Sequence, residues 1–265
     1  MKYAFRSLVP VVAAVFLSIP PLTLTPHTMT AMAQSADPGK DNQLLAEITN
    51  KALSNKKFKD VKASVQNGIV TLTGTVDVYD TKVDADRRVH RVKNVKAVEN
   101  EIEVGGPEVP DNVLQNKLVK AIEYDRVGYG TTAFNAIGVS VQNGAVTLSG
   151  HAYGPVDADS AVAVAANTKG VKDVINDIQV DPVSPMDDRI RIAVFRSVYG
   201  FPSLNKYAID PGKPIRISVQ NGNVTLYGVV DSKADKDAAG IRANSVPGVF
   251  HVTNNLVVAG QEGKQ

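Results

Sequence analysis

The chain contains no cysteine. Disulfides, thiolate metal sites, cysteine nucleophiles and attachment of a lipid to an N-terminal thiol are therefore excluded, and stability must come from packed cores alone. Other chemical signatures are missing as well. There is no Walker loop, no Gly-x-Ser-x-Gly and no His-Glu-x-x-His. No apolar run is long enough to span a bilayer, because the one near the start is interrupted by Pro10, Pro20, Pro21 and Pro26. That segment reads instead as an export signal: Lys2 and Arg6, an apolar stretch from Leu8 to Leu17, and Ala31-Met32-Ala33 as a small-x-small cleavage site before Gln34. A basic excess is also absent. Of 29 basic residues two lie in the signal, whereas all 27 acidic residues lie beyond it, so the mature chain is formally neutral. A protein that tracks a phosphate backbone normally carries a clear positive excess, and the expected partners do not include nucleic acid.

What the sequence does contain is one phrase three times. Ser64-Val-Gln-Asn-Gly-Ile-Val-Thr-Leu-Thr-Gly74 returns as Ser140 to Gly150 and as Ser218 to Gly228. Asn-Gly between alternating apolar residues marks a hairpin with a type I′ turn, which needs φ > 0 at both central residues. The turn pairs are Asn67-Gly68, Asn143-Gly144 and Asn221-Gly222, and each phrase closes on Gly74, Gly150 or Gly228. Counting outward pairs Val65 with Val70 and Ala63 with Leu72, Val141 with Val146 and Val139 with Leu148, and Val219 with Val224 and Ile217 with Leu226. One hairpin face is therefore apolar; the other, Ser64/Thr71, Ser140/Thr147 and Ser218/Thr225, is expected outward.

Helical spacing flanks each hairpin. Leu45, Ile48, Ala52 and Leu53 follow a cap at Asp41 or Asn42; Leu114, Leu118, Ala121 and Ile122 follow Asp111; Ile190, Val194 and Val198 follow Asp187 or Asp188. Second helices are expected from about Thr81, over Ala158–Thr168 and over Ala234–Asn244. Closing strands align as Val98-x-Asn100-x-Ile102-x-Val104, Val174-x-Asn176-x-Ile178-x-Val180 and Val252-x-Asn254-x-Leu256-x-Val258. The recurring asparagine is expected to point inward and satisfy backbone groups. The fold class is α+β: three tandem αββαβ units, each with two helices packed on one face of a three-stranded sheet. Expected boundaries are a signal at 1–33, a flexible leader at 34–41, units at 42–105, 111–181 and 186–259, and a polar tail at 260–265.

The pattern Val-x-Asn-Gly-x-Val-x-Leu-x-Gly, a helix, then Gly-Val-x-x-Val-x-Asn-x-Ile/Leu-x-Val resembles the BON domain of bacterial envelope proteins over residues 42–258. Units two and three carry its pre-strand glycine as Gly170 and Gly248; unit one has Asn94, which tolerates a left-handed backbone with small strain. The resemblance implies a periplasmic or secreted protein, similar to osmotically inducible envelope proteins, that associates with phospholipid surfaces and supports envelope integrity. It implies no catalytic residue, cofactor or metal.

His90, His151 and His251 share no position and read as surface or helix-end residues; Asp77, Asp80, Asp84 and Asp86 read as ordinary helix-start carboxylates. The element order is shared with KH modules, but the Gly-x-x-Gly loop is missing. The candidate lipid-binding set is Arg87, Arg88, Arg91, Lys93 and Lys96, with an anionic phospholipid surface as the weak, peripheral partner. Candidate apolar contacts come from two long aromatic connections, at Tyr129, Phe134, Tyr199 and Phe201. A second expectation is a scaffold or chaperone-like protein whose envelope-protein clients meet those aromatics and the nearly uncharged helix Ala158–Thr168. The blander account of that helix is burial between units.

Overall fold

The computed structural model describes residues 38–260. The export-signal expectation, most of the leader and the last residues of the tail lie outside them. Three units follow one another. The first comprises α1 (Pro38–Glu47), a π-helical turn (Ile48–Ala52), β1 (Val61–Gln66), β2 (Ile69–Val76), α2 (Tyr79–His90), β3 (Ala97–Asn100) and β4 (Glu103–Val104). The second is α3 (Asp111–Asp125), β5 (Ala136–Gln142), β6 (Ala145–Ala152), α4 (Pro155–Ala166) and β7 (Asp173–Val180). The third is α5 (Pro185–Tyr199), β8 (Arg216–Gln220), β9 (Asn223–Tyr227), β10 (Val229–Val230), α6 (Lys233–Asn244), β11 (His251–Asn254) and β12 (Val257–Val258). The first helix begins at Pro38, so the end of the expected leader is already helical and Asp41 lies inside the first turn, not at its cap.

In every unit the second hairpin strand is central, antiparallel to the first and parallel to the closing strand. The register is the one the Asn-Gly turns impose: Val65 faces Val70, Val141 faces Val146 and Val219 faces Val224. Both turn residues have positive φ each time, from Asn67 (φ 55°) and Gly68 (φ 79°) to Asn221 (φ 50°) and Gly222 (φ 75°). Asn94 takes φ 72° where the sister units place Gly170 and Gly248, as its short side chain permits. Gly150 shows why the phrase ends on glycine. Its φ is 93°, and a Cβ there would lie 2.2 Å from the Ala136 carbonyl oxygen.

Each unit has its own core, built from both helices and the inner sheet face. Leu44, Ile48, Val70, Leu72, Ala85 and Val89 are buried in the first, Leu114, Leu118, Val146, Leu148, Ala161 and Ala165 in the second. The third is largest and takes in Tyr199, Leu204 and Tyr207 from its long connection.

The repeated asparagines do satisfy backbone groups. Asn100 donates from Nδ2 to the Lys82 carbonyl (3.1 Å) and accepts from the Ile102 amide (3.2 Å), and Asn254 does the same with Lys236 (2.7 Å) and Leu256 (3.3 Å). They sit where the closing strand is interrupted rather than at its entrance, and Asn176 is exposed, so the inward expectation fails in unit two. The outward expectation for the hydroxyl face fails in unit three. Ser218 is only 3% exposed, because the end of unit two covers it.

One contact recurs that fixes the layout. The Asp41 carboxylate accepts the amides of Asn67 (2.7 Å) and Gly68 (3.0 Å); Asp111 takes those of Asn143 (2.7 Å) and Gly144 (2.9 Å); Asp187 takes those of Asn221 (3.0 Å) and Gly222 (2.8 Å). Asp187 is buried at 2% exposure, whereas Asp41 and Asp111 are partly exposed. Charge-assisted bonds to buried amides are the stronger kind, and losing them leaves desolvated donors behind. Asp187→Ala should therefore cost about 2–3 kcal/mol and Asp41→Ala about 1 kcal/mol, read as denaturant midpoints. Equal losses would show that burial does not set the strength of the clamp.

Candidate functional site

The basic set of unit one lies at the C-terminal end of α2 and on the turn beyond it. Arg87, Arg91, Lys93 and Lys96 are exposed. Arg88 is different: its Nε is 2.8 Å from Asp84, and its guanidinium lies 5.5 Å from the centre of the buried Phe58 ring. Asp84 also binds Lys57 at 2.8 Å, and Asp86 lies 3.1 Å from His90 Nδ1. Burial would raise the Asp84 carboxyl, but the hydrogen bonds from Lys57 and Arg88 outweigh it and hold it below the usual carboxylate range. Asp84 is thus engaged by Lys57 and Arg88, Asp86 lies beside His90, and Arg87, Arg91, Lys93 and Lys96 have no ion pair with either acid.

The aromatic candidates separate into two kinds. Tyr129 is 68% exposed, its ring covered on one side by the Arg126 guanidinium at 4.1 Å, and Phe201 is 37% exposed beneath Arg242. Tyr199 is interior, which corrects the expectation for it, and Phe134 is half-buried. Phe134 packs on the core of unit three, with ring centroids 5.7 Å from Tyr153 and 5.8 Å from Phe195. Tyr199 is 5% exposed and donates its hydroxyl to the Ile215 carbonyl at 2.7 Å, and burial pushes that hydroxyl's pKa up. Apolar insertion of Tyr199 would require unfolding the third core, and Phe134 would have to leave Tyr153 and Phe195.

The long connections hold units together instead of standing free. In unit two Asp157, in the first turn of α4, accepts from Thr131 Oγ1 (2.7 Å), Asn135 Nδ2 (2.9 Å) and Arg126 Nε (3.1 Å). Asp235, at the matching place in α6, accepts from Tyr207 Oη (2.9 Å) and Lys206 Nζ (3.0 Å). Both acids are buried, and a local pattern reading missed them because a first-turn carboxylate is usually solvated. Their only sequence signal is recurrence at one position of the repeat.

Units two and three meet across a polar network. Arg191, 1% exposed on α5, donates from Nη2 to the Val219 carbonyl (3.1 Å), lies 3.5 Å from Asp181 and pairs with Asp188, while its guanidinium stands 4.9 Å from the Tyr153 ring centre. Asp181, also 1% exposed, accepts from Ser218 Oγ (3.0 Å) and Gln220 Nε2 (3.0 Å). His151 Nδ1 lies 3.4 Å from the same carboxylate, and its ring stacks on Tyr227. It is an interface residue and not the surface histidine expected. Nearby, Arg216 donates to the carbonyls of Asn135 (2.8 Å) and Thr132 (3.2 Å) beside Glu123, whose carboxyl burial raises. The cavity between these groups measures about 20 Å³, room for a single water.

Helix α4 is covered. Ala158, Ala161, Ala165 and Ala166 are buried, and α4 packs against both α3 and α2 of unit one, where Tyr79 joins the second core. The alanine face of that helix is therefore buried as the blander account expects, while Val156, Asp159 and Ala163 remain exposed. Among the described residues no group of three or more His, Asp or Glu is placed to hold a metal, and no helix is long and apolar enough to cross a membrane.

The BON domain sequence pattern matches residues 40–106, 110–182 and 203–260. The chain is similar to an uncharacterised protein of Anaplasma centrale encoded in the gshII 5′ region, with 28% identity over 142 residues, 53% of this chain and 94% of that one. It is also similar to osmotically-inducible protein Y of Escherichia coli (strain K12), with 26% identity over 198 residues, 71% of this chain and 92% of that one. Among solved structures it aligns with the C-terminal domain of CdsD, a structural protein of the type III secretion system of Chlamydia trachomatis, at 15% identity over 81% of this chain and 96% of that one. The TM-score of 0.22 is too low for that alignment to carry weight.

Removing Arg191 would leave Asp181 buried without its main cation. Arg191→Met should cost about 3–5 kcal/mol, and adding Asp181→Asn should restore part of it, since both charges are then gone. Acid should act on Asp235. Burial raises that carboxyl, but hydrogen bonds from Lys206, Tyr207 and Ser232 outweigh it and hold it low. Its contribution is then complete above the unfolded value of about 3.9 and is lost as pH falls through the lower folded value. Asp235→Asn should flatten the loss of urea midpoint below about pH 4; an unchanged slope would assign it to other carboxylates.

Proposed function

We propose that this chain, which belongs to the BON domain family, is an exported, non-enzymatic envelope protein that associates peripherally with anionic phospholipid surfaces and supports the envelope under osmotic stress. The name of its Escherichia coli relative, osmotically-inducible protein Y, gives the stress setting. The observation that carries the lipid reading is the state of the charges on unit one. Arg87, Arg91, Lys93 and Lys96 are exposed, while Asp84 and Asp86 are occupied by Lys57, Arg88 and His90. Each exposed cation near an anionic surface contributes about 1 kcal/mol, so four contribute about 3–4 kcal/mol, which is millimolar binding. Such binding is reversible and salt-sensitive, and it needs an apolar partner contact to give useful residence.

Flotation with anionic and with neutral vesicles across a salt series tests this. Wild type should bind anionic vesicles at low salt and release them as salt rises, and Arg87→Glu with Arg91→Glu should abolish most of that binding. Equal binding to both vesicle types, or full binding by the double variant, would overturn it.

A further inference from the structure

Phe250 is 81% exposed at the start of β11, and it stands at a place where both sister units carry lysine. Lys96 and Lys172 occupy the same step after their left-handed residue, each with its methylenes against the turn glycine, Gly68 or Gly144. In unit three the aromatic ring lies there instead. A Cβ on Gly222 would be 2.6 Å from the ring, so only glycine lets the ring seat on the turn. The ring is also held from its own backbone: the Phe250 amide donates to the Gly222 carbonyl at 2.9 Å, and Asp187 grips the Gly222 amide from the other side. Met186, 59% exposed, immediately precedes Asp187, the residue whose carboxylate holds that turn, and Val183, three residues earlier, is 91% exposed.

Single exposed apolar residues are ordinary. This group differs in being held by a rigid turn and in the charge around it. Asp187 is occupied by the turn amides, Asp188 pairs with Arg191, and Asp181 is buried, whereas Arg189 is exposed and folds its Nε back to the Pro185 carbonyl at 3.2 Å, beside Met186. The tip thus presents two bulky apolar side chains and a cation, with each nearby carboxylate engaged.

We propose that Phe250 and Met186 form an insertion tip that enters the interfacial layer of an anionic phospholipid bilayer, with Arg189 at the headgroups. Burying an aromatic ring and a thioether there adds the contact that the cations of unit one lack, and the backbone that carries the ring is already held by the turn. The proposal rests on the lipid-surface reading and adds where the bilayer is entered.

The chain has no tryptophan, so Phe250→Trp places one reporter indole at the tip. With vesicles of phosphatidylglycerol and phosphatidylcholine, that indole should shift to the blue and be quenched by lipids brominated near the headgroup end of the acyl chain. Phe250→Ser, at so exposed a position, should keep the wild-type melting temperature while weakening vesicle binding about tenfold or more. Wild-type vesicle binding together with an unshifted, unquenched F250W indole, or an F250S variant that binds like wild type, would overturn the tip and leave the lipid reading standing. A wild type that fails to bind the vesicles at all would overturn both.

Discussion

A single carboxylate holding two amides organises each unit. The acid comes from the first turn of the leading helix, the amides from the Asn-Gly turn, and the carbonyl of that same glycine accepts from the closing strand: Lys96 to Gly68, Lys172 to Gly144 and Phe250 to Gly222, each at 2.9 Å. Helix, hairpin and parallel strand are thus locked at one residue. A type I′ turn leaves its amides pointing away from the ladder, and a left-handed pair of residues presents them together, as an anion-binding concavity does. Asn and Gly are needed for the backbone, the aspartate for the donors, and neither requirement survives loss of the other.

The three units keep this node and differ in what they add. Units two and three insert long connections, and in both the insert is tied down by a buried first-turn aspartate, Asp157 or Asp235. Unit one has a short connection and Thr81 at the matching place. The insert of unit two adds to the contact with unit three: Phe134 fills the edge of the third core, and Thr132 and Asn135 offer carbonyls to Arg216. Aromatic content in these segments therefore goes partly to the interface, as with Phe134, and partly to the third core, as with Tyr199.

Local pattern made the node legible and left the interface dark. Asn-Gly, the alternating valines and the terminal glycine encode register and left-handed backbone within eleven residues, and Asn94 could be assigned its φ from the alignment of units alone. Asp181 is the last residue of the expected second unit, followed by Pro182, and it is buried because Ser218 and Gln220, 37 and 39 residues away, converge on it. Nothing local distinguishes that carboxylate from a solvated one, and the same holds for Arg191 in an otherwise amphipathic helix. Ser218 shares its phrase with Ser64 and Ser140, so repetition itself argued for the wrong exposure. Phe250 was within reach: the column Lys96, Lys172, Phe250 breaks only in the third unit.

The buried pair also determines how the units can move. Parting units two and three would strip Asp181 of Ser218, Gln220 and Arg191 together and leave a guanidinium beside Val219 with no carboxylate in reach of Nη2. Hydrogen bonds are lost within about the first ångström of opening, before there is room for water to replace them, and the donors and acceptors around Asp181 are then left desolvated. The interface is therefore brittle and not compliant, and it is open or closed with little between. The α2–α4 packing joins unit one, with the helix that carries the basic cluster, to unit two. If the cations of unit one and the proposed tip of unit three meet one surface, the second contact forms at the effective concentration set by the packed units rather than at that of the free protein.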